Sequence, residues 1–179
     1  MEISSGNLSH LLYVLLLIAR VGDVGTTYLA TPTLALEANP IARKLGWKFA
    51  ILTIAACLLP YWNQGLAVTA LIPSLLVAAS NAGKVWVMRT MGEQAYLALC
   101  VNVARKSKLS RALLGVAASS FFAVLAGGVV LLFCWSPAND WGFWIGLGVV
   151  MYGVVTGVHG SLGMVRLFRK AAELIEQSV

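Results

Sequence analysis

The sequence predicts an all-α protein, a polytopic transmembrane helix bundle of about five spans in a single domain of 179 residues. Hydrophobic residues make up 59% of the chain and charged residues only 11%, against about 25% charged in an average soluble domain. A soluble core needs far fewer apolar residues, so the surplus is expected to face a lipid bilayer. These apolar residues also form long runs, which short polar segments separate.

Five apolar runs are candidates for crossing a hydrocarbon core about 30 Å thick, since a helix rises about 1.5 Å per residue. The second run is the shortest. However, Asn39 followed by Pro40 is typical of a helix start, so its helix is expected to begin earlier. Pro73 lies inside the third run and predicts a kink there. The predicted spans are 8–30, 47–62, 66–87, 112–135 and 141–164, and a basic cytoplasmic tail, 165–179, follows them.

Lys and Arg residues occur in alternate connections between these runs. The first and third connections and the tail are basic, whereas the amino-terminal segment and the turns 61–65 and 136–140 contain no Lys or Arg. Because basic loops stay in the cytoplasm, this alternation predicts an outside amino terminus, a cytoplasmic carboxyl terminus and a location in the cytoplasmic (inner) membrane. The net charge of +6 does not indicate a nucleic-acid partner, since basic segments beside apolar runs suit anionic lipid headgroups.

Two segments have alternative interpretations. Residues 11–19 could be the core of a signal peptide, but no basic residue precedes them and Arg20 and Asp23 follow, which favours a membrane span. The stretch 93–106 is either a helix lying in the cytoplasmic interface or a solvated basic loop. As a helix it places four residues on one stripe, with basic residues behind them: Tyr96, Leu99, Cys100 and Val103.

Small residues form stripes along the fourth and fifth spans. Apolar surface alone does not draw helices together in lipid, so residues that permit close backbone approach indicate contact faces. These stripes predict either a close hairpin between the two spans or an interface with a second copy or another membrane protein. Their members are Gly115, Ser119, Ala123 and Gly127 in the fourth span and Gly142, Gly146, Gly153, Gly157 and Gly160 in the fifth.

Polar residues within or beside the apolar runs indicate where a functional site is expected. An Arg, Lys or Asp near a helix centre costs about 2.5–3.5 kcal/mol on insertion scales, so such residues normally face the bundle interior and find partners. The predicted orientation places all of these residues toward the cytoplasmic leaflet. The candidates are Arg20, Asp23, Thr27, Glu37, Asn39, Ser80, Asn81, Lys84, Tyr152 and His159.

Two short motifs carry a resemblance to a known family. The run Asp23-Val-Gly-Thr-Thr27 is followed by Glu37-Ala-Asn39-Pro40, which gives Asp-x-x-x-Thr and then Glu-x-Asn-Pro. This pair resembles the signature of a family of small, uncharacterised prokaryotic multi-pass membrane proteins, described as a domain of unknown function. The resemblance implies a site with a lysine and a Tyr…His pair on later helices, and no particular reaction. The matching positions are Lys84, Tyr152 and His159.

Three classes of function fit such a cluster. A small transporter or channel ranks first, in which Asp23, Glu37 and His159 exchange protons or bind a cation. A non-catalytic subunit or sensor of a larger complex ranks second. An intramembrane enzyme ranks third: the same three residues could hold a metal ion, or Ser80 and Lys84 could form a nucleophile–base pair. Beyond a cation, the sequence indicates no cofactor.

Each candidate also has a purely structural alternative. Arg20 and Asp23 could form an ion pair that fixes helix packing. Asn39 could only cap a helix, and Lys84 could extend its charged end to the inner interface. It is the convergence of these residues on one leaflet that favours a functional site. The three cysteines lack metal-binding or redox spacing and are interpreted as small apolar residues: Cys57, Cys100 and Cys134.

Overall fold

The computed structural model describes residues 5–135 and 141–176, and within these ranges all regular structure is helical, which confirms the all-α prediction. Four helices are long and apolar enough to cross a membrane: Gly6–Ala30, Gln64–Met91, Leu109–Phe133 and Trp141–Leu174. The stretch Trp47–Trp62, predicted as a further span, is also helical and apolar but shorter. The turn predicted at 136–140 and the last residues of the predicted tail, 177–179, lie outside the described residues.

Eight α-helices and one 3-10 helix make up the described chain. The predicted second span, 47–62, is divided among two α-helices and the 3-10 helix, and a further short α-helix precedes it. In chain order the elements are α1 (Ser5–Ala30), α2 (Pro40–Leu45), α3 (Trp47–Ile54), the 3-10 helix (Ala55–Leu58), α4 (Leu59–Trp62), α5 (Gln64–Met91), α6 (Glu93–Arg105), α7 (Leu109–Phe133) and α8 (Trp141–Glu176).

Local sequence signals explain where several helices begin and end. The Asn39 side chain accepts hydrogen bonds from the backbone N–H groups of Ile41 (2.9 Å) and Ala42 (3.3 Å), and Pro40 is the first residue of α2. The predicted helix start at Asn39 is therefore confirmed. Gly46 (φ 61°) then ends α2, and Gly92 (φ 83°) separates α5 from α6. Glycine adopts such positive φ values without steric cost, so the chain can turn sharply at both points.

The long helices are arranged in a row rather than a closed ring. α7 packs against α8, α8 against α5, and α5 against α1. The α7–α8 pair is close because glycines meet across it: a Cβ on Gly153 would lie 2.8 Å from Val124 Cγ2, and the Ser120 hydroxyl donates to the Gly153 carbonyl at 2.6 Å. The fifth-span glycines and Gly127 thus lie in a close hairpin, as predicted. The rest of the predicted fourth-span stripe does not form the contact, because Gly115 has no neighbour within 4 Å and Ser119 is exposed, while Val116, Ser120 and Val124 face α8 instead.

The row has two ends, named here after a residue at each. At the Trp144 end, the ring of Trp144 on α8 lies against Gly65 of α5, and the Ser9 hydroxyl on α1 accepts a hydrogen bond from Gln64 at 2.9 Å. At the Glu93 end, α1 and α5 end, and α6 and α7 begin. The amino-terminal halves of α1 and α5 bury a small core with the 3-10 helix: Leu12, Leu16, Ala19, Cys57, Val68 and Leu71.

The stretch Trp47–Trp62 runs from one end of the row to the other. At the Glu93 end, Trp47 Nε1 donates to the Pro32 carbonyl at 3.2 Å. The Trp47 ring also packs edge-on against the Tyr28 ring, with the ring centroids 5.4 Å apart. At the Trp144 end, the Tyr61 hydroxyl lies 2.9 Å from His10 Nδ1. These contacts place its two ends beside the two ends of α1.

The sequence left open whether the stretch 93–106 is a helix or a loop. It is mainly helical and forms α6. It packs on the last turns of α8, where Val101 and Ala104 are buried against Ala171. Leu99 and Val103, on the predicted apolar stripe, remain 43% and 58% exposed. α8 has 36 residues, a length of about 54 Å at 1.5 Å per residue, so it extends well beyond the predicted span and supplies the surface on which α6 packs.

Candidate functional site

Arg20 and Asp23 form an ion pair inside the candidate span of α1. Arg20 Nη1 lies 3.5 Å from Asp23 Oδ2, and each side chain is only 20% exposed. This is a long contact, and the Arg20 Nε atom is buried with no hydrogen-bond partner among the described residues. Arginine keeps its charge in proteins and has five N–H donors, so most of its hydrogen-bonding capacity is unused here.

Thr27, the third polar residue on this face of α1, connects α1 to α5. Its hydroxyl oxygen accepts a hydrogen bond from the Asn81 amide at 3.2 Å. Gly22 lies between Arg20 and Thr27 along the helix, and a Cβ there would be 3.7 Å from the Ala78 Cβ on α5. The structure therefore brings two predicted site residues, Thr27 and Asn81, into direct contact.

The connection between α1 and α2, residues 31–39, is held by the carboxylate of Glu93 on α6. The Thr31 hydroxyl donates a short hydrogen bond to Glu93 Oε1, which also accepts from the Ala35 N–H at 2.9 Å. Glu93 Oε2 accepts from the Thr33 N–H at 3.2 Å. In between, Leu34 adopts a left-handed backbone (φ 58°), an uncommon conformation that the surrounding hydrogen bonds stabilise.

These hydrogen bonds stabilise the ionised form of Glu93. Partial burial by itself would raise the pKa of the carboxyl, but the hydrogen bonds from Thr31, Thr33 and Ala35 outweigh it and hold the pKa below its ordinary value of 4.5. Glu93 is therefore a carboxylate at neutral pH. It acts as a negatively charged cap on a turn, much as an acidic side chain caps the start of a helix.

Glu37 and Asn39 lie on the same connection, and the Glu37 backbone contacts α8. Glu37 Oε1 accepts from the Asn39 N–H at 2.7 Å, and the Glu37 carbonyl accepts from Arg166 Nη1 at 3.1 Å. The neighbouring residue, Ala38, packs where α8 has Gly163: a Cβ on that glycine would lie 3.1 Å from the Ala38 Cβ. The Glu37 carboxyl is also an electrostatic neighbour of Asp23. The connection thus joins α1, α6 and α8.

The remaining predicted residues are less closely associated. The Lys84 amine lies 3.4 Å from the Ser80 hydroxyl, but this contact is exposed on α5. Tyr152 and His159 are half-buried on the face of α8 that also carries Gly148 and Gly163. Among the described residues no three His, Cys, Asp or Glu side chains are grouped so that they could hold a metal ion, so Asp23, Glu37 and His159 do not form the metal site considered above.

The sequence did not predict Glu93 or Thr31 as site residues. It also did not predict that Arg166 donates a hydrogen bond to the Glu37 carbonyl. One signal could have identified Glu93, since it is the only acidic residue between Glu37 and Asp140 and it lies in a strongly basic interval. An isolated acid in such a place usually has a specific partner. Nothing local marks Thr31, because its partner is 62 residues away in the chain.

A groove opens between α1 and α3 next to the Arg20–Asp23 pair. It has a volume of about 300 Å³. Its walls are apolar or aromatic, and Arg20 contributes the aliphatic part of its side chain. The main lining residues are Arg20, Val21, Val24 and Tyr28 of α1 and Trp47 and Ile54 of α3.

No protein-family model, curated protein or solved structure matches this chain. The resemblance of its two motifs to a family of small membrane proteins therefore stays a prediction. What the residues of the site can do chemically is the remaining guide to its function.

Proposed function

We propose that this protein is a small proton-translocating transporter of the cytoplasmic membrane, with Asp23 as its proton carrier. The observation that carries the proposal is the ion pair of Arg20 and Asp23, which lies in the candidate span Gly6–Ala30 at a contact of 3.5 Å. Ionisable groups are costly in a membrane and normally mark a pathway for ions or substrates. A strong and fully hydrogen-bonded pair would suit a structural role better than this long contact does.

The two charges differ in a way that suits proton coupling. The guanidinium of Arg20 is permanently charged, whereas the carboxyl of Asp23 can gain and lose a proton. When Asp23 is protonated, Arg20 loses its counter-charge and must find another. Proton binding at Asp23 is therefore linked to the binding of an anion at Arg20. Glu37, the electrostatic neighbour of Asp23, would pass protons between Asp23 and the Glu93 end.

Five membrane spans, with the amino terminus outside and the carboxyl terminus in the cytoplasm, belong to the same proposal. The stretch Trp47–Trp62 supports the fifth span, because its contacts place its ends beside the two ends of α1. All 13 Lys and Arg residues lie in the half of the row nearer the Glu93 end. The positive-inside rule therefore favours a cytoplasmic Glu93 end.

The proposal is tested by proton flux into proteoliposomes that contain a pH-sensitive dye, under an imposed membrane potential. We expect faster acidification with the wild-type protein than in protein-free liposomes. Asp23→Asn should reduce the rate to that of protein-free liposomes, since the amide cannot carry a proton. The control is Glu173→Gln, which removes an exposed carboxylate from the end of α8. Equal flux in wild type and Asp23→Asn would exclude Asp23 as the carrier.

A second candidate function, a subunit of a larger membrane complex, is favoured by α7. This helix packs mainly against α8 and leaves one side free, with several large apolar side chains more than half exposed: Leu114, Phe121, Phe122, Leu132 and Phe133. A lipid-facing surface has the same composition. If the wild-type protein gives no proton flux under any imposed potential, and cross-linking in native membranes captures a partner through α7, this second function replaces the first.

A further inference from the structure

Helix α6 lies between the ends of two candidate membrane spans. Only Gly92 separates it from the end of α5 at Met91, and three residues separate it from the start of α7 at Leu109. Its 13 residues cover about 20 Å at 1.5 Å per residue. Because both of its ends are joined so closely to candidate spans, α6 is held at the level where those spans would leave the bilayer.

Two opposite faces of α6 differ in how far the protein covers them. On one face, Val101 and Ala104 are 6% and 4% exposed, because they pack against Ala171 on the last turns of α8. Leu99 and Val103, here called the free apolar pair, are 43% and 58% exposed. The centres of these two faces lie about 150° apart around the helix, at 3.6 residues per turn. The described helices therefore leave an apolar face of α6 about half exposed.

A third face of α6 is polar and borders a groove. The groove has a volume of about 290 Å³ and is lined by Gln94, Asn102 and Arg105 of α6 and by Lys170 of α8. These four side chains are exposed, and those of α6 are centred about 125° around the helix from the free apolar pair. One apolar face and one polar face are typical of a helix that lies in a membrane interface, with its polar face in water.

Basic residues follow the free apolar pair. Residues 94–111 contain no acidic residue and four basic ones, namely Arg105, Lys106, Lys108 and Arg111. A lysine can lay its aliphatic stem along apolar surface and extend its charge to a lipid phosphate. We propose that α6 docks on the leaflet at the Glu93 end, with the free apolar pair inserted among the lipids. In this position the exposed amines of Lys106 and Lys108 bind the phosphates of anionic phospholipids.

This inference goes beyond the proposed function, because it assigns a lipid partner to a helix that takes no part in proton transfer. It also concerns the connection after α1. The carboxylate of Glu93, the first residue of α6, accepts hydrogen bonds from Thr31 and Ala35 of that connection. A docked α6 therefore holds the connection at the membrane surface.

The first measurement compares two adjacent positions of α6, Asn102 and Val103. A nitrobenzoxadiazole fluorophore is attached to Asn102→Cys or Val103→Cys, in a protein without its native cysteines, in nanodiscs of phosphatidylcholine and phosphatidylglycerol. A nitroxide on a lipid chain near the headgroup should quench the label at 103 about twice as strongly as that at 102, since only the apolar face enters the headgroup boundary. Iodide, which stays in water, should quench the label at 102 more strongly.

The second measurement tests the preference for anionic lipid with the Val103→Cys label. Nitroxide-labelled phosphatidylglycerol should quench it more strongly than nitroxide-labelled phosphatidylcholine at the same mole fraction, because the lysines attract the anionic lipid. The double variant Lys106→Gln and Lys108→Gln should remove this difference. The matched control, Lys44→Gln and Lys48→Gln, removes the same charge from exposed lysines of α2 and α3 and should preserve the difference.

Several results would overturn the inference. Equal quenching of positions 102 and 103 by the lipid nitroxide, or stronger quenching of 103 by iodide, would place this face of α6 in water. Protection of position 103 from both quenchers would mean that protein, such as a second copy, covers the face. Equal quenching by the two lipids would exclude a preference for anionic phospholipid.

Two further outcomes concern the lysines. Loss of the lipid preference in the Lys44 and Lys48 double variant would show that the overall charge attracts the lipid, not the end of α6. Loss of the preference when inorganic phosphate replaces chloride at constant ionic strength would assign the lysines to a free anion. No measurement here depends on proton flux, so docking and transport can each fail without the other.

Discussion

Glu93 holds the connection between α1 and α2 with one carboxylate. It accepts hydrogen bonds from Thr31, Thr33 and Ala35, and Thr31 in turn accepts from the Leu36 N–H at 3.2 Å. Each donor would otherwise be satisfied only by water. Because charged acceptors form stronger hydrogen bonds than neutral ones, this single side chain orders the backbone that leads to Glu37.

We expect Glu93→Gln to destabilise the protein at neutral pH by about 1 kcal/mol, a modest value because the site is partly solvated. The pKa of Glu93 lies below its ordinary value of 4.5, so its stabilising effect is present above that pH and is lost as the pH falls through the folded-state pKa. Thermal unfolding in detergent at pH 7.5 and at pH 3.5 measures this.

In that experiment, Glu93→Gln should unfold at a lower temperature than wild type at pH 7.5, and the difference should shrink at pH 3.5. Glu173→Gln, which alters an exposed acid, is the control and should show no difference at either pH. If Glu93→Gln and wild type unfold together at pH 7.5, the carboxylate does not stabilise this connection.

Residues close together in sequence could be assigned, and distant partners could not. The spacing of Arg20 and Asp23 places them one turn apart on α1, and the Asn39-Pro40 pair identifies a cap from its own chemistry. By contrast, Glu93 and Thr31 are 62 positions apart. They meet only because α6 packs against the other helices, and no local sequence pattern predicts a contact between residues so far apart in the chain.

At the scale of the elements, the α7–α8 hairpin shows how glycines determine helix contact. A Cβ on Gly127 would lie 2.7 Å from the Gly146 carbonyl oxygen, so the two backbones touch where both residues lack side chains. Such close approach allows extensive van der Waals contact, which drives helix association in lipid. The glycines of the fifth span marked the contact face of α8, whereas on α7 the small-residue pattern identified Gly127 but not the neighbouring contact residues Ser120 and Val124.

Replacing one of these glycines should separate the two helices. Gly153→Leu would place a Cβ 2.9 Å from the Val124 backbone nitrogen, which cannot move aside as a flexible side chain could. We expect a loss of about 1–3 kcal/mol in stability, measured by thermal unfolding in detergent. Gly115→Leu on the open side of α7 should have little effect. An unchanged unfolding temperature for Gly153→Leu would mean that the hairpin is not packed as described.

The sequence predicted the second span but not its division into shorter helices. Asn39 indicates a helix start, but the chain turns at Gly46 and changes to a 3-10 helix at Ala55–Leu58. Hydrophobic content does not report such breaks. They follow from single residues, since Gly46 adopts a positive φ and Pro60, at the start of α4, lacks the N–H that a continuous helix would need there.

At the scale of the whole molecule, the orientation of each connection depends on whether Trp47–Trp62 crosses the membrane. We expect five crossings, so Asn63, before α5, should be outside and Ser107, before α7, should be in the cytoplasm. Single cysteines at these two positions, in a protein without its native cysteines, can be labelled in intact cells with a membrane-impermeant reagent. Asn63→Cys should react in intact cells and Ser107→Cys only after permeabilisation.

Four crossings would give the opposite result, because α5 would then run antiparallel to α1, which would also contradict the contact of Gln64 with Ser9 at the first turns of the two helices. Asn63→Cys would be protected and Ser107→Cys would react in intact cells. The two positions therefore act as controls for each other, and each outcome identifies one topology.

The sequence by itself determined that the chain is helical and apolar enough for a membrane, and where its charges lie along the chain. These properties follow from composition and from spacing within single helices, since hydropathy and helical periodicity act locally. The tertiary structure decided which helices are neighbours, that Glu93 holds the connection after α1, and that Thr27 of α1 contacts Asn81 of α5. These depend on contacts between distant segments, which are set by how whole helices fit together.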